Sequence, residues 1–145
     1  MSEFYTQNGW TGDKYKEVSE KNLSTVDIAK LIRKELKEKY PGIQVSVRSE
    51  YFANGSSIDV YIKDCGFNPI NPEWDPRNYD LPMDQNQRYT DKAKQLLKEL
   101  EKLGSQYRRS DCDGMIDYFD VNFWYDVSFD FDFEQGCIRK LGIAC

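Results

Sequence analysis

The chain has 145 residues, a formal net charge of −5 and a mean hydropathy of −0.76. That length fits one domain and buries roughly two-thirds of the unfolded surface, so folding needs neither metal nor disulfide. Aromatic residues make up 14% of the chain, enough to build a core and to exclude disorder throughout. Histidine is absent, which removes Ser-His-Asp and Cys-His catalysis, histidine metal sites and the commonest proton shuttle. No apolar run approaches the ~20 residues of a membrane span, and Met1-Ser2-Glu3-Phe4-Tyr5 lacks both the basic start and the apolar stretch of a signal peptide. A cytoplasmic location is the expectation. Cys65, Cys112, Cys137 and Cys145 form no CxxC pair and are expected as free thiols, with no metal site and no cofactor.

Residues 1–22 are polar with scattered rings (Phe4, Tyr5, Trp10, Tyr15) and read as a partly ordered arm on a single α+β domain of 23–145. Residues 24–40 read as a helix. Ser24 or Thr25 can cap it, Asp27 suits its first turn, and Ile28, Leu31, Ile32 and Leu36 form one apolar stripe. Pro41-Gly42 stops it. Residues 43–64 read as a β-hairpin. Ile43, Val45 and Val47 alternate with polar residues, as do Ile58, Val60 and Ile62, and Asn54-Gly55 is the turn signal between them.

Residues 65–89 break every period and hold most of the chain's prolines, a long inserted loop that Phe67, Trp74 and Tyr79 are placed to pin to the body. Thr90 caps a second helix over 90–103, with Ala93, Leu96, Leu97, Leu100 and Leu103 on one stripe and Gly104 as its stop. From 119 to 133 every odd position is apolar or aromatic and almost every even one polar, Trp124 being the exception. That period predicts one long strand, or two that break near Asn122–Tyr125, with the odd face buried and a last short strand over Cys137–Ile143. The order α-β-β-α-β(-β) predicts a two-layer α+β sandwich, an antiparallel sheet of three to four strands with two helices on one face.

Several of these segments resemble one of the large polyvalent-protein-associated domain families. The run Ile28-Ala29-Lys30-Leu31-Ile32-Arg33 leading to Tyr40-Pro41-Gly42 carries the resemblance, with Val45-Ser46-Val47-Arg48-Ser49, Gly55-Ser56-Ser57-Ile58-Asp59-Val60 and Asp113-Gly114-Met115-Ile116-Asp117. It covers roughly residues 25–64 and 90–133. It implies a small α+β module encoded by phages, plasmids or conjugative elements, working inside a bacterial host cell, and supplies no catalytic residues. The chain departs from the pattern in its longer 65–89 loop.

Asp111 to Glu134 contains eight acids and no Lys or Arg. In strand phase Asp120, Asp126, Asp130, Asp132 and Glu134 share one face, repeating every ~6.6 Å, a row suited to a basic groove built for phosphates. With Trp124 beside it and Trp74 and Tyr79 on the loop, these residues form the expected contact for a host protein such as a nucleic-acid-binding nuclease. The expected function is non-catalytic: inhibition of a host defence protein, in the manner of an anti-CRISPR. The alternative is a nucleic-acid-binding module that uses the basic helix faces, net +2 over 24–41 and net +3 over 90–109. Arg48 and Asp59 are placed to pair across the hairpin on the open sheet face. A homodimer through an exposed edge strand is compatible with either reading.

Overall fold

The computed structural model describes residues 9–53, 55–78, 87–113 and 118–142. Strand β1 (Gly9–Thr11) and helix α1 (Tyr15–Lys21) occupy the N-terminal arm, and Val18 is buried. Helix α2 (Thr25–Lys39) follows, then strands β2 (Gln44–Phe52) and β3 (Gly55–Asp64). Helix α3 (Asp91–Ser105) leads to β4 (Arg109–Asp113), β5 (Tyr118–Val121) and β6 (Trp124–Phe129), and helix α4 (Phe131–Lys140) ends the described chain. The class is α+β, as the sequence pattern implies. Among the described residues no helix is long and apolar enough to cross a membrane.

Two three-stranded sheets form, in the orders β2-β3-β6 and β1-β4-β5. The first is the scaffold. β2 runs antiparallel to β3, with Val47 opposite Val60 and Val45 opposite Ile62. β6 joins the other edge of β3 in parallel, so the sheet is mixed rather than antiparallel throughout. A parallel partner needs a crossover connection, which the chain makes through α3.

Sequence chemistry explains the elements. Ser24 caps α2, its side chain accepting from Asp27 N at 3.2 Å while the Asp27 carboxylate accepts from Ser24 N at 3.1 Å, a closed capping box. Thr90 caps α3 by accepting from Ala93 N. The stripe Ile28, Ala29, Ile32 and Leu36 of α2 and the stripe Ala93, Leu96, Leu100 and Leu103 of α3 pack on Val47, Ile58, Val60, Ile62 and Phe129. Ile58, Val60 and Ile62 are wholly buried on the middle strand. At ~25 cal/mol per Å² of apolar area this face is the main stabilising term.

The 119–133 segment departs from its predicted form. Its phase holds through β6, where Phe129 is buried and Trp124 is exposed. It breaks at Asn122, whose side chain accepts from Arg109 N and Phe123 N and donates to Tyr107 O. Those bonds fix the point where the chain leaves the β1-β4-β5 sheet and enters the β2-β3-β6 sheet. Beyond it, residues 131–140 are helical, so no strand runs through 133, and helix and turn stand at 137–142 in place of the expected last strand over Cys137–Ile143. Asp130 caps α4 by accepting from Phe133 N, Asp132 and Glu134 sit in the first turn, and Arg139 and Lys140 in the last. That is the charge order a helix dipole favours.

The 65–89 loop is anchored in its described part. Ile70 bridges to Tyr89, and Ile70 and Trp74 pack on Cys137 and Ile138 of α4 in a second small core.

Gly104 lies inside the last turn of α3 rather than beyond it, so it is not the stop. A Cβ there would collide with the ring of Tyr125, whose hydroxyl donates to Leu100 O at 2.8 Å. Gly104→Ala should therefore destabilise the fold by about 1–3 kcal/mol in a urea titration. Gly136→Ala, in α4 with no close neighbour, should stabilise it by about 0.5–1 kcal/mol.

Candidate functional site

Both helices of the main layer cover one face of the β2-β3-β6 sheet. The register places three rows on the other face: Ser46, Tyr61 and Ser128; Arg48, Asp59 and Asp126; and Glu50, Ser57 and Trp124. Phe52 lies at its end, opposite Gly55. None of these side chains is fully buried; Phe52 and Trp124 are 44% and 42% exposed. A parallel strand pair is ordinarily covered on both faces. Here no described element covers the second face of β3 and β6.

The middle row carries the unusual electrostatics. Asp59 and Asp126 are direct neighbours on adjacent strands, which lie about 4.8 Å apart in a sheet. The Asp59 carboxyl is held above its ordinary pKa, by partial burial first, then by Asp126 and Glu50, with a Ser57 hydrogen bond opposing. Arg48 is opposite Asp59 by register, as expected, but among the described residues the two make no ion pair. The Arg108 guanidinium lies 5.5 Å from the centre of the Trp124 ring, and its Nε donates to Phe123 O at 2.8 Å. The rim of the face is therefore an exposed aromatic beside carboxylates that make no ion pair among the described residues.

The residues expected at a contact site separate. Trp124 and Asp126 share the open face. Asp120 belongs to β5 in the other sheet, where its Cα partner is Asp111. Asp130 is turned to capping α4 and to an ion pair with Lys63 at 2.8 Å, which holds its carboxyl below the usual range. Asp132 is exposed on the first turn of α4 and off the sheet. Glu134 is buried, accepting from Arg88 Nη2 at 3.0 Å and from the Tyr89 hydroxyl. Trp74 is only 6% exposed, stacked under Arg88 at 4.9 Å in the second core. Tyr79 lies outside the described residues. The single-strand row of carboxylates thus does not form, because the chain turns into a helix at Asp130. Glu50, Phe52 and Tyr61 complete the open face and were missed. The alternation of the first hairpin strand already put Glu50 in phase with Arg48.

Two other carboxylates sit in closed networks. Glu35 accepts from Lys14 at 2.6 Å and from the Tyr107 hydroxyl, and meets Lys39 at 3.4 Å. Burial raises its pKa, but those donors outweigh burial and hold it below the usual value. Tyr107 is pushed up by burial and by Glu35. Neither group titrates near neutrality, so the network offers no general base and instead ties α2 to the start of α1 through Lys14 and to the α3–β4 connection through Tyr107. Cys65 and Cys137 are buried free thiols whose pKa values burial raises, which disfavours the thiolate a nucleophile needs. Among the described residues no group of three or more Cys, Asp or Glu is arranged to hold a metal ion.

The model of the large polyvalent protein associated domain 29 family matches residues 23–123. The chain belongs to that family. Membership places it among phage- or mobile-element-associated proteins. No curated protein and no solved structure gave a significant match. The matched segment runs from the residue before the α2 cap to the residue before β6. The open face is thus built partly from family residues (Arg48, Glu50, Asp59) and partly from residues just beyond them (Trp124, Asp126).

A carboxyl whose folded pKa is raised disfavours folding in its charged form and relaxes as pH falls through that pKa. Asp59→Asn should therefore raise the melting temperature at pH 7. The gain should shrink below the ordinary carboxylate range, where wild-type Asp59 takes up its proton. Melting curves between pH 3 and pH 7 check this.

Proposed function

We propose that the chain is a non-catalytic accessory protein of a phage or other mobile element. It binds a basic host protein through the open face of the β2-β3-β6 sheet and inhibits it. The observation that carries this reading is the Asp59–Asp126 pair, which makes no ion pair among the described residues although Arg48 shares its row, and which is flanked by exposed Trp124 on a parallel strand pair that no described element covers on this face. Carboxylates held in such surroundings cost stability, and natural sequences accept that cost mainly where a surface works.

The complementary partner presents an Arg- or Lys-rich groove. A defence nuclease that holds nucleic-acid phosphates, such as a CRISPR effector, is the class whose groove has that charge. An arginine stacked on Trp124 and bonded to Asp59 and Asp126 would satisfy all three groups at once, and aromatic and arginine side chains dominate such hot spots. The carboxylates would imitate phosphates across two strands rather than along one.

The test is a pull-down with the tagged protein from lysate of a bacterium carrying CRISPR and restriction systems, followed by affinity measurement on the retained nuclease. Trp124→Ala and Asp126→Lys should each weaken binding about ten-fold or more, and Asp126→Lys should flatten the salt dependence. Asp132→Lys, off the face, should leave affinity unchanged. Co-purification of nucleic acid instead of protein would favour a module that reads nucleic acid through Lys30, Lys34 and Lys37 of α2 and Lys98 and Lys102 of α3.

A further inference from the structure

Strand β2 is a long outer edge. It has nine residues, pairs with β3 on one side, and among the described residues has no strand on the other. Such an edge presents a row of backbone donors and acceptors ready to pair. Proteins usually blunt it with prolines, inward-pointing charges or shortness. β2 has none of these; its register irregularity lies at its first residues, Gln44 and Val45, and its edge is met by a side chain at Val47, whose carbonyl accepts from Nη2 of the exposed Arg33 of α2 at 2.8 Å, a side chain that a second strand pairing there has to displace. Its core-side positions are Val45, Val47, Ser49 and Tyr51, and the exposed half ends in Tyr51 at 59% and Phe52 at 44%. The opposite edge differs: β6 is six residues long and carries the exposed Asp126.

The only charges on β2 are Arg48 and Glu50, both on the open face. They are two residues apart, so they are self-complementary about Ser49. An antiparallel copy of β2 centred on Ser49 sets Arg48 opposite Glu50 of the second copy, and Glu50 opposite its Arg48. Val47 then faces Tyr51 of the second copy, and Ser46 faces its Phe52. Directly opposed side chains on one face lie about 4.5–5.5 Å apart, within reach of an ion pair. Registers shifted by an odd number would set the helix-covered face of one sheet against the open face of the other. The register centred on Arg48 would oppose two arginines, and the one centred on Glu50 two glutamates.

We propose that this chain forms a twofold homodimer through β2, with the strands antiparallel and centred on Ser49. The two sheets then join into one of six strands. The helices of both copies stay on one side, and two open faces become one continuous surface on the other. The dimer does not depend on the identity of any host partner.

The test is sedimentation velocity on the full chain between 1 and 100 µM, with far-UV circular dichroism on each variant. Wild type should be dimeric in that range. Arg48→Glu and Glu50→Arg should each weaken the dimer by at least about ten-fold, since two attractive pairs become repulsive. An equimolar mixture of the two variants should recover a dimer, because the acidic edge of one then matches the basic edge of the other. The double variant carrying both changes should dimerise like wild type. A monomeric wild type at 100 µM, single variants that dimerise undiminished, or a mixture that stays monomeric would each overturn the proposal. Should a charge variant fail to fold, Ser49→Cys decides. It should form a disulfide-linked dimer under mild oxidation, in excess of any formed by wild type, whereas Ser46→Cys should not. Absence of that extra product overturns the proposal equally.

Discussion

The structure depends on a middle strand that is paired on both edges but covered on one face only. Ile58, Val60 and Ile62 of β3 are wholly buried beneath two amphipathic helices, and their neighbours in sequence, Ser57, Asp59, Tyr61 and Lys63, are committed to the opposite side by the two-residue period of a strand. The crossover through α3 determines the rest. Because α3 lies in the same layer as α2, it brings β6 in parallel to β3 without a helix on the far side. The open face is thus a product of topology and needs no special residue to create it.

The chain handles its half-buried carboxylates in two ways. Glu35 and Glu134 are surrounded by donors: Lys14, Lys39 and the Tyr107 hydroxyl for one, Arg88 and the Tyr89 hydroxyl for the other. Each joins segments distant in sequence, the cap of α1 and the α3–β4 connection to α2 in the first case, the end of the 65–89 loop to α4 in the second. Removing one partner of such a pair leaves a buried charge uncompensated, so these are structural. Asp59 has the opposite surroundings: Asp126 and Glu50 act against its charge, one hydroxyl favours it, and Arg48 across the strand makes no ion pair with it among the described residues. That contrast within one protein, rather than acidity in itself, singles out the open face.

Much of the architecture was legible because local chemistry and tertiary packing agree. The Ser24 and Thr90 caps, the two apolar stripes and the alternation of β2 and β3 all point to the elements that form. The acidic region was harder. Phe129-Asp130-Phe131-Asp132-Phe133 alternates as a strand would, and Phe131 betrays the error only in the fold, where it is 70% exposed. The competing signals were present: a capping aspartate, acids in the first turn, bases in the last, and Gly142 just beyond at a φ of 72°. Five strictly alternating residues outweighed them in the reading, although helix termini are marked by charge and caps more than by period. The parallel placement of β6 was not legible at all, because no local pattern distinguishes an edge strand's direction. Trp74 pins the loop to the body, as its ring among loop residues suggests, but this burial removes it from the expected partner contact, because the second core that holds it is assembled from Cys137 and Ile138, some sixty positions later in the chain.

The segment shared with the family stops at residue 123, one residue short of β6. Strand β3 pairs with β6 through six residues, from Ser57–Trp124 to Ile62–Phe129. The matched segment is therefore smaller than the sheet it helps to build. Cut at its own boundary, it would leave the ten-residue central strand with one edge unsatisfied and the wholly buried Ile62 without its Phe129 neighbour. In this chain the sequence that follows the segment closes that edge itself. Here the closing strand also carries Trp124 and Asp126, so completing the sheet and furnishing its open face are one event.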